Sequence, residues 1–369
     1  MRDGRGAAIL NLGFAVLDNV TTADNYSFSA DRSPSSNDAI YNRGRMSIRN
    51  SRFLRDGITN NGRLTITGSE FRGAQLRLYG NAGALDPVGT STGRQLDATY
   101  VANTNFIDQS SVYVGSDAIF RRVQVMDNPA GSDPFLNRLP PDDERNPSAT
   151  GWGPNARDAI TISIEQSSIV RNTFRGTPFN VLSDATGSVE LFVTDTTIAE
   201  YYGQHPAIGC DSPNATVTMN GVTIVGETRE RRPKGIRATN ACRMNISNTL
   251  IATPTNTACA LDDSAIINIR NSFATDDSCG APAIDDPMLS RLAYNGGDTL
   301  NMLPSADSPL VNAGVPGRPQ LSRDRRCDID EDQAEAEGID CDPEQRERDQ
   351  RGEPRIARGR RDIGAVEVQ

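Results

Sequence analysis

The sequence is poor in the residues on which many enzyme active sites depend. It has a single histidine (His205), a single tryptophan (Trp152) and a single lysine (Lys234) in 369 residues, and aromatic residues make up 5%. One histidine excludes zinc sites built on several histidines, and any Ser-His-Asp triad would have to use His205. With 36% hydrophobic residues, a thin repetitive core is expected rather than a thick two-layer core. The net charge of −10 repels phosphate backbones, so we expect no nucleic-acid partner.

Long apolar runs are also lacking. No stretch of about 18 apolar residues occurs, so we expect no transmembrane segment. The apolar stretch from Ala7 to Leu17 is interrupted by Asn11 and lacks a small-residue cleavage site. We therefore interpret it as a strand, and we expect neither a signal peptide nor an anchor within this chain.

Closely spaced cysteine pairs are missing as well. No Cys-Xaa-Xaa-Cys motif occurs, which argues against zinc-ribbon and thioredoxin-like sites. An even number of widely spaced cysteines is typical of disulfides and of an oxidising compartment, whereas free thiols in a cytosolic protein are the alternative. Six cysteines allow 15 pairings. We expect nearest neighbours to pair, as Cys210 with Cys242, Cys259 with Cys279, and Cys327 with Cys341.

What the sequence does contain is an internal repeat. Three segments share the pattern small-Ile-Xaa-Asn-Xaa-Gly, at 8–13, 39–44 and 57–62, and an alternating strand pattern follows each of them. An apolar residue then recurs at intervals of 18 to 44 residues, which fits one coil of a β-solenoid or a coil with an insertion. This apolar column consists of Phe53, Phe71, Phe106, Val125, Ile169, Ile198, Ile224, Ile251 and Ala274.

A second column predicts the corners between strands. Its members are mostly Asn or Gly, which tolerate the positive φ of a tight turn. They are Asn19, Asn50, Gly68, Asn103, Gln166, Asp195, Gly221, Asn248 and Asn271. The period-2 alternation around them predicts an all-β stack of short parallel strands, about ten coils and roughly 50 Å long. A sandwich or propeller is the alternative, although propeller blades need about 40 to 50 residues.

The repeat defines the expected domain organisation. We expect a parallel β-helix over 1–284 with insertions at 72–98 and 126–157, because the repeat is interrupted there. A C-terminal segment over 285–369 is expected to act as a cap and to carry an exposed acidic loop.

Two sets of residues resemble a known family. The repeated coils resemble bacterial surface β-helix proteins with polymorphic-outer-membrane-type repeats. Motifs at 286–299, 307–314, 349–355 and 362–367 resemble the choice-of-anchor Q domain. The resemblance implies a single-stranded right-handed parallel β-helix of the pectin-lyase-like type, exported and tethered at the cell surface. It carries no catalytic residues over to this chain.

Candidate catalytic groups are few. Lyase chemistry on a uronate needs a base, often with Ca²⁺ to neutralise the acid group. Arg237, Arg243 and Arg270 lie on or beside repeat strands, where they are either exposed residues of the strands or the lining of a groove for an anionic glycan. Hydrolysis needs two carboxylates, and the adjacent pairs 262–263 and 276–277 are either those groups or turn residues.

Binding residues are expected in loops. Trp152, Tyr201 and Tyr202 are candidates for stacking on sugar rings, with packing of loops against the strands as the alternative. Alternating carboxylates at Asp328, Asp330 and Asp332 define a candidate Ca²⁺ loop, although the Gly and Glu of an EF-hand are missing; a hydrated acidic loop is the alternative.

These observations favour a non-catalytic, exported or cell-surface protein, a monomer that acts in adhesion or glycan binding without a required cofactor. The alternative is a carbohydrate-active enzyme, a polysaccharide lyase rather than a glycoside hydrolase, and a purely structural rod is a third interpretation. The fold alone does not decide between them, because one fold hosts many functions.

Overall fold

A computed structural model gives the architecture. It describes residues 8–25, 27–28, 34–36, 38–78, 99–129, 136–138, 160–173, 179–181, 188–201, 205–226, 235–253, 257–315, 348–356 and 360–369. Thirty strands lie in these ranges, numbered β1 to β30 in chain order, and none of the described residues is helical. Accordingly, no described helix has the length and apolarity needed to cross a membrane.

Ten of the strands form one parallel sheet, sheet A. In order across the sheet they are β1 (Ile9–Asn11), β6 (Asp38–Asn42), β9 (Gly57–Asn60), β12 (Gln75–Leu78), β15 (Ser111–Val114), β18 (Leu136–Arg138), β21 (Phe179–Val181), β23 (Ile208–Asp211), β25 (Ile236–Thr239) and β28 (Cys259–Leu261).

A second parallel sheet, sheet B, contains eighteen strands. They are β2 (Phe14–Asp18), β3 (Thr21–Ala23), β7 (Arg45–Arg49), β8 (Arg52–Leu54), β10 (Arg63–Thr67), β11 (Glu70–Arg72), β13 (Thr99–Ala102), β14 (Asn105–Ile107), β16 (Ala118–Arg121), β17 (Gln124–Met126), β19 (Ile160–Glu165), β20 (Ser168–Val170), β22 (Val189–Tyr201), β24 (Ala215–Gly226), β26 (Arg243–Ser247), β27 (Leu250–Ala252), β29 (Ile266–Arg270) and β30 (Phe273–Ala274). A short antiparallel pair, β4 (Ser27–Phe28) and β5 (Pro34–Ser36), stands apart.

The strands recur in chain order as tiers. A tier is one strand of sheet A followed by the next one or two strands of sheet B, so that β1–β3 form tier 1, β6–β8 form tier 2 and β28–β30 form tier 10. Each strand pairs in parallel with the equivalent strand of the next tier, as Ile40 does with Ile58 and Met46 with Leu64. The all-β prediction is confirmed, and the long parallel sheets are consistent with a parallel β-helix.

The predicted apolar column is a paired column of the structure. Each of its nine members is the Cα partner of the next member, from Phe53 in β8 to Ala274 in β30. Phe53, Phe71 and Phe106 stack with ring centroids 4.7 and 4.9 Å apart, and all three are fully buried. Inward side chains therefore stack tier on tier in a thin core, as the repeat predicts.

The predicted corner column is confirmed at all nine positions, where φ lies between 44° and 67°. Sequence reasoning missed one member of this column, Arg122, which takes φ 52° in tier 5, and it did not predict the positive-φ corners after the next strand, such as Arg55 and Arg171. The residue after the corner often carries a hydroxyl that holds successive tiers together. Ser51 Oγ donates to the carbonyl oxygen of Arg49 at 2.6 Å and accepts the amide of Val20 from tier 1 at 3.1 Å.

The small-Ile-Xaa-Asn-Xaa-Gly motif forms a second corner, between sheets A and B. Nδ2 of Asn11 donates to Oδ1 of Asn42 at 2.7 Å, and Nδ2 of Asn42 donates to Oδ1 of Asn60 at 2.6 Å. A Cβ on Gly44 would overlap the backbone of Gly13 in the previous tier. The asparagines therefore satisfy buried polar groups, and glycine is needed because the backbones of successive tiers approach closely.

Two of the three predicted disulfides are present, both in the second half of the chain. Cys210–Cys242 joins tiers 8 and 9, and Cys259–Cys279 closes tier 10, with Cα atoms 5.9 and 5.0 Å apart. The predicted Cys327–Cys341 pair lies outside the described residues. Strands β12 and β18 lie within the segments expected as insertions, so both segments contribute to sheet A.

Candidate functional site

Sheet B presents two outward surfaces with different surroundings. The covered face lies on the part of each tier that comes directly after the corner residue in the chain. It consists of the outward side chains of these strand segments, from tier 5 onward. The described parts of 285–369, here called the C-terminal segment, pack against it. Leu310 and Ile363 belong to one buried apolar cluster with Leu250, and Leu300 belongs to another with Val170. The lateral face consists of the outward side chains of β2, β7, β10, β13, β16, β19, β26 and β29 and of the first halves of β22 and β24.

A buried charge cluster fastens the C-terminal segment to the covered face. Oδ1 of Asp195 accepts a hydrogen bond from Nη2 of Arg361 at 2.7 Å and forms an ion pair with Nη2 of Arg355 at 3.1 Å, and all three side chains are about 1% exposed. A Cβ on Gly221, the corner of the next tier, would overlap both guanidinium groups. Glycine is therefore needed here both for its φ of 67° and for the space it leaves.

Further polar contacts extend this fastening along the corner column. Nε2 of Gln166 donates to the carbonyl oxygen of Asp349 at 2.9 Å, and Oδ1 of Asn248 accepts the amide of Val315 at 2.9 Å. Oγ1 of Thr197 donates to Oε1 of Gln350 at 2.6 Å. These groups are buried and hydrogen-bonded, which is how buried polar groups contribute to a stable interface.

The predicted ligand-binding arginines do not form one site. Arg237 lies on sheet A, whereas Arg243 and Arg270 lie on the lateral face in tiers 9 and 10. Arg243 pairs with Ile266, four residues before Arg270, so the two arginines are separated by about 13 Å along the strand direction. Both are exposed, and Arg237 is half-buried.

The predicted aromatic residues are not available as an exposed platform in the described structure. Tyr201 is 2% exposed and belongs to the apolar core, and burial raises the pKa of its hydroxyl. A bulge between Ala199 and Tyr201 shifts the register of β22 and turns the ring inward. Trp152 and Tyr202 lie outside the described residues, as do Asp328, Asp330 and Asp332 of the expected Ca²⁺ loop.

The adjacent carboxylate pairs include turn acceptors. A hydrogen bond from the Ser264 side chain, followed by one from the amide of Asn240, lowers the pKa of Asp262. Asp276 accepts from the amides of Ala258 and Ser278. Among the described residues, no group of three or more His, Cys, Asp or Glu is arranged to hold a metal ion.

The structure brings together a set of arginines that sequence reasoning missed. Arg45 pairs with Arg63 of the next tier and with Phe14 of the previous tier, so the three side chains form one outward column of the lateral face. Arg49 follows on the same side of β7, and Arg43 lies in the corner before it. We call Arg43, Arg45, Arg49 and Arg63 the arginine patch.

The arginine patch is flanked by exposed apolar side chains. Phe14 is 73% exposed and Val16 is 50% exposed. Arg43 and Arg45 are exposed, and among the described contacts neither side chain takes part in an ion pair or hydrogen bond. Among the described residues of these strands, the acid on this part of the face is Asp18, whose carboxylate accepts a hydrogen bond from Asn50 at 3.1 Å.

A signal for the patch exists in the sequence. Residues 38–78 contain eight arginines and three acidic residues, although the whole chain has a net charge of −10. The 18-residue spacing of the repeat, which aligns Phe53 with Phe71, also aligns Arg45 with Arg63, and the structure pairs the two arginines.

No family model, curated protein or solved structure matches this chain.

Proposed function

We propose that this chain is a right-handed parallel β-helix from an exported or cell-surface protein, and that it binds a glycan without modifying it. The two disulfides support an oxidising, extracellular setting, because disulfides persist there and are rare in the cytosol. The resemblance of the coils and of the C-terminal motifs to bacterial surface β-helix proteins supports the same setting.

One observation carries the binding proposal: the lateral face repeats. Its outward columns stay in register from tier to tier, so a given side-chain position recurs at strand spacing, about 4.8 Å. A surface with a short repeat is complementary to a polymer with a short repeat, and extracellular polysaccharides are such polymers. The buried core beneath the lateral face holds its strands in place, and such preorganisation lowers the entropic cost of binding.

Incubation with polysaccharides tests this proposal. Purified protein is mixed, with and without Ca²⁺, with a panel of acidic and neutral polysaccharides, and polymer size is followed by size-exclusion chromatography. We expect at least one polymer to co-elute with the protein and to keep its length. Shortened chains would overturn the non-catalytic assignment, and products absorbing in the ultraviolet would identify a lyase. Polymers that neither shorten nor co-elute would refute glycan binding for that panel.

A further inference from the structure

We propose that the arginine patch is an anion-binding subsite, and that the glycan it takes carries carboxylate or sulfate groups. This inference rests on the proposed glycan-binding function and names its site and ligand class. It concerns the first three tiers, away from the arginines that the sequence singled out at the other end of the lateral face.

Charge distribution is the first argument. Residues 38–78 carry a net charge of +5, so the rest of the chain carries −15. A polyanion is therefore repelled by most of the protein and attracted at one end. An isolated patch of this kind concentrates an anionic ligand locally and aligns its approach.

Register is the second argument. Arg45 and Arg63 are Cα partners on adjacent strands, so their attachment points are about 4.8 Å apart. Like charges at directly opposed positions repel, and an anion lying across both guanidinium groups would offset that repulsion. The planar guanidinium group offers paired donors that match a carboxylate or sulfate in two parallel hydrogen bonds.

The state of the side chains is the third argument. Arg43 and Arg45 are exposed, so an anion can reach their donors, and among the described contacts neither side chain takes part in an ion pair or hydrogen bond. By contrast, Arg55, which lies outside the patch, is paired with Asp24, with Nη2 and Oδ2 2.5 Å apart.

Phe14 adds the feature that distinguishes a sugar from a simple anion. It occupies the same outward column as Arg45, one tier earlier, and is 73% exposed. An aromatic face beside a guanidinium group matches a uronate or sulfated sugar, whose ring presents apolar C–H groups on one side and an anionic substituent at its rim. Nucleic acid fits less well, because its binding depends on neutralising many phosphates and the remaining −15 charge opposes this.

Matched variants test the assignment. The patch variant is Arg43→Gln/Arg45→Gln, and the control variant is Arg171→Gln/Arg291→Gln, which removes the same charge from two exposed arginines elsewhere. Binding of polygalacturonate, dextran sulfate and neutral dextran is measured by calorimetry, and circular dichroism verifies the folding of each variant. We expect the patch variant to lose about tenfold or more in affinity for a charged polymer, since it removes two charge-assisted contacts. We expect the control to change less than about twofold, because it alters only the long-range charge.

A Phe14→Ala variant separates the sugar contact from the charge. We expect it to weaken binding of the charged polymer several-fold while leaving the salt dependence unchanged, because the number of neutralised anionic groups stays the same. A comparison of the affinity for polygalacturonate with the affinity for dextran sulfate identifies carboxylate or sulfate as the preferred group.

Each contrary outcome has a distinct meaning. If the wild-type protein binds neutral dextran as well as the charged polymers, the anion subsite is refuted while glycan binding stands. If it binds none of the polymers, the proposed function fails and the subsite fails with it. Equal losses in the patch and control variants, or a larger loss in Arg243→Gln/Arg270→Gln, would refute the assignment to this end of the face. Tighter binding of single-stranded DNA than of either charged polymer would refute the assignment of a glycan as the ligand of the patch.

Discussion

The covered face and the lateral face belong to the same sheet but use their outward positions in opposite ways. On the covered face these positions hold apolar or hydroxyl side chains, such as Val170, Thr197 and Leu250, which a second segment of the chain buries. On the lateral face in tiers 1 to 3 they include Arg45, Arg49, Arg63 and an exposed Phe14, beside the buried hydroxyl residues Ser47 and Thr65. A parallel repeat constrains its inward columns and corners, and leaves its outward columns free to serve intramolecular packing in one place and binding in another.

The corner column shows the same division within a single structural position. Asn50 of tier 2 makes its side-chain hydrogen bond to Asp18 of the neighbouring tier. Gln166, Asp195 and Asn248 take the same positive φ, yet their side chains bind the C-terminal segment. The corner requires only a residue that tolerates this backbone conformation, so its side chain can be assigned to a separate task.

The largest effect is expected from removing the charge that fastens the covered face. Asp195→Asn keeps a residue that tolerates the corner and leaves two buried guanidinium groups without their carboxylate. Breaking a buried ion pair on one side costs about 3–5 kcal/mol. Hydrogen exchange of the Gly364 amide, which donates to the carbonyl oxygen of Asn248, is expected to accelerate strongly.

Asp127→Asn is the matched control for this prediction. Asp127 pairs with Arg171 at 3.1 Å, but both side chains are about half exposed. Exposed pairs contribute about 0–1 kcal/mol, so the Gly364 amide should exchange as in the wild type. Similar exchange in Asp195→Asn and Asp127→Asn would mean that apolar packing alone holds the C-terminal segment.

An intermediate effect is expected from opening the disulfide between tiers 8 and 9. Cys210→Ala/Cys242→Ala removes a link across a sequence separation of 32 residues, which is worth about 2–4 kcal/mol. Since stability in a stacked repeat is nearly a sum over neighbouring interfaces, the loss should remain local. The Gly364 amide should exchange faster, while the Arg45 amide, bonded to Gly13 in the first tiers, should not. Equal acceleration at both amides would show that the tiers unfold as one unit.

The sequence was sufficient to predict what the repeat itself dictates. The Phe53 column and the nine corners were identified because a parallel register keeps equivalent positions aligned and because positive φ restricts the residue type. Arg122 was missed because arginine has no such preference. Tyr201 was assigned to a binding surface because the bulge that turns it inward leaves no mark in the alternation.

Long-range partners were beyond the same reasoning. Asp195 and Arg361 are 166 residues apart, and no local pattern relates them. The arginine patch was missed for a different reason: the 18-residue repeat also aligns Arg45 with Arg63, but only its inward and corner positions were followed. Inward columns are selected by packing and can be recognised from periodicity, whereas outward positions are selected by partners that the local sequence does not display.

The smallest effect is expected at an exposed ion pair, which contrasts most directly with the buried cluster at Asp195. Nε and Nη2 of Arg55 donate to the two carboxylate oxygens of Asp24, each at 2.5 Å, and these hydrogen bonds lower the pKa of Asp24. A lowered carboxyl pKa favours the folded state above the ordinary Asp pKa of about 3.9, and this contribution is lost as the pH falls through the lowered value. In Arg55→Gln, an NMR titration should therefore show the Asp24 pKa rising towards its ordinary value, while the unfolding midpoint at neutral pH stays close to that of the wild type because water and salt screen an exposed pair. An unfolding midpoint that fell as far as in Asp195→Asn would contradict the distinction between exposed and buried charges on which the comparison of the two faces depends.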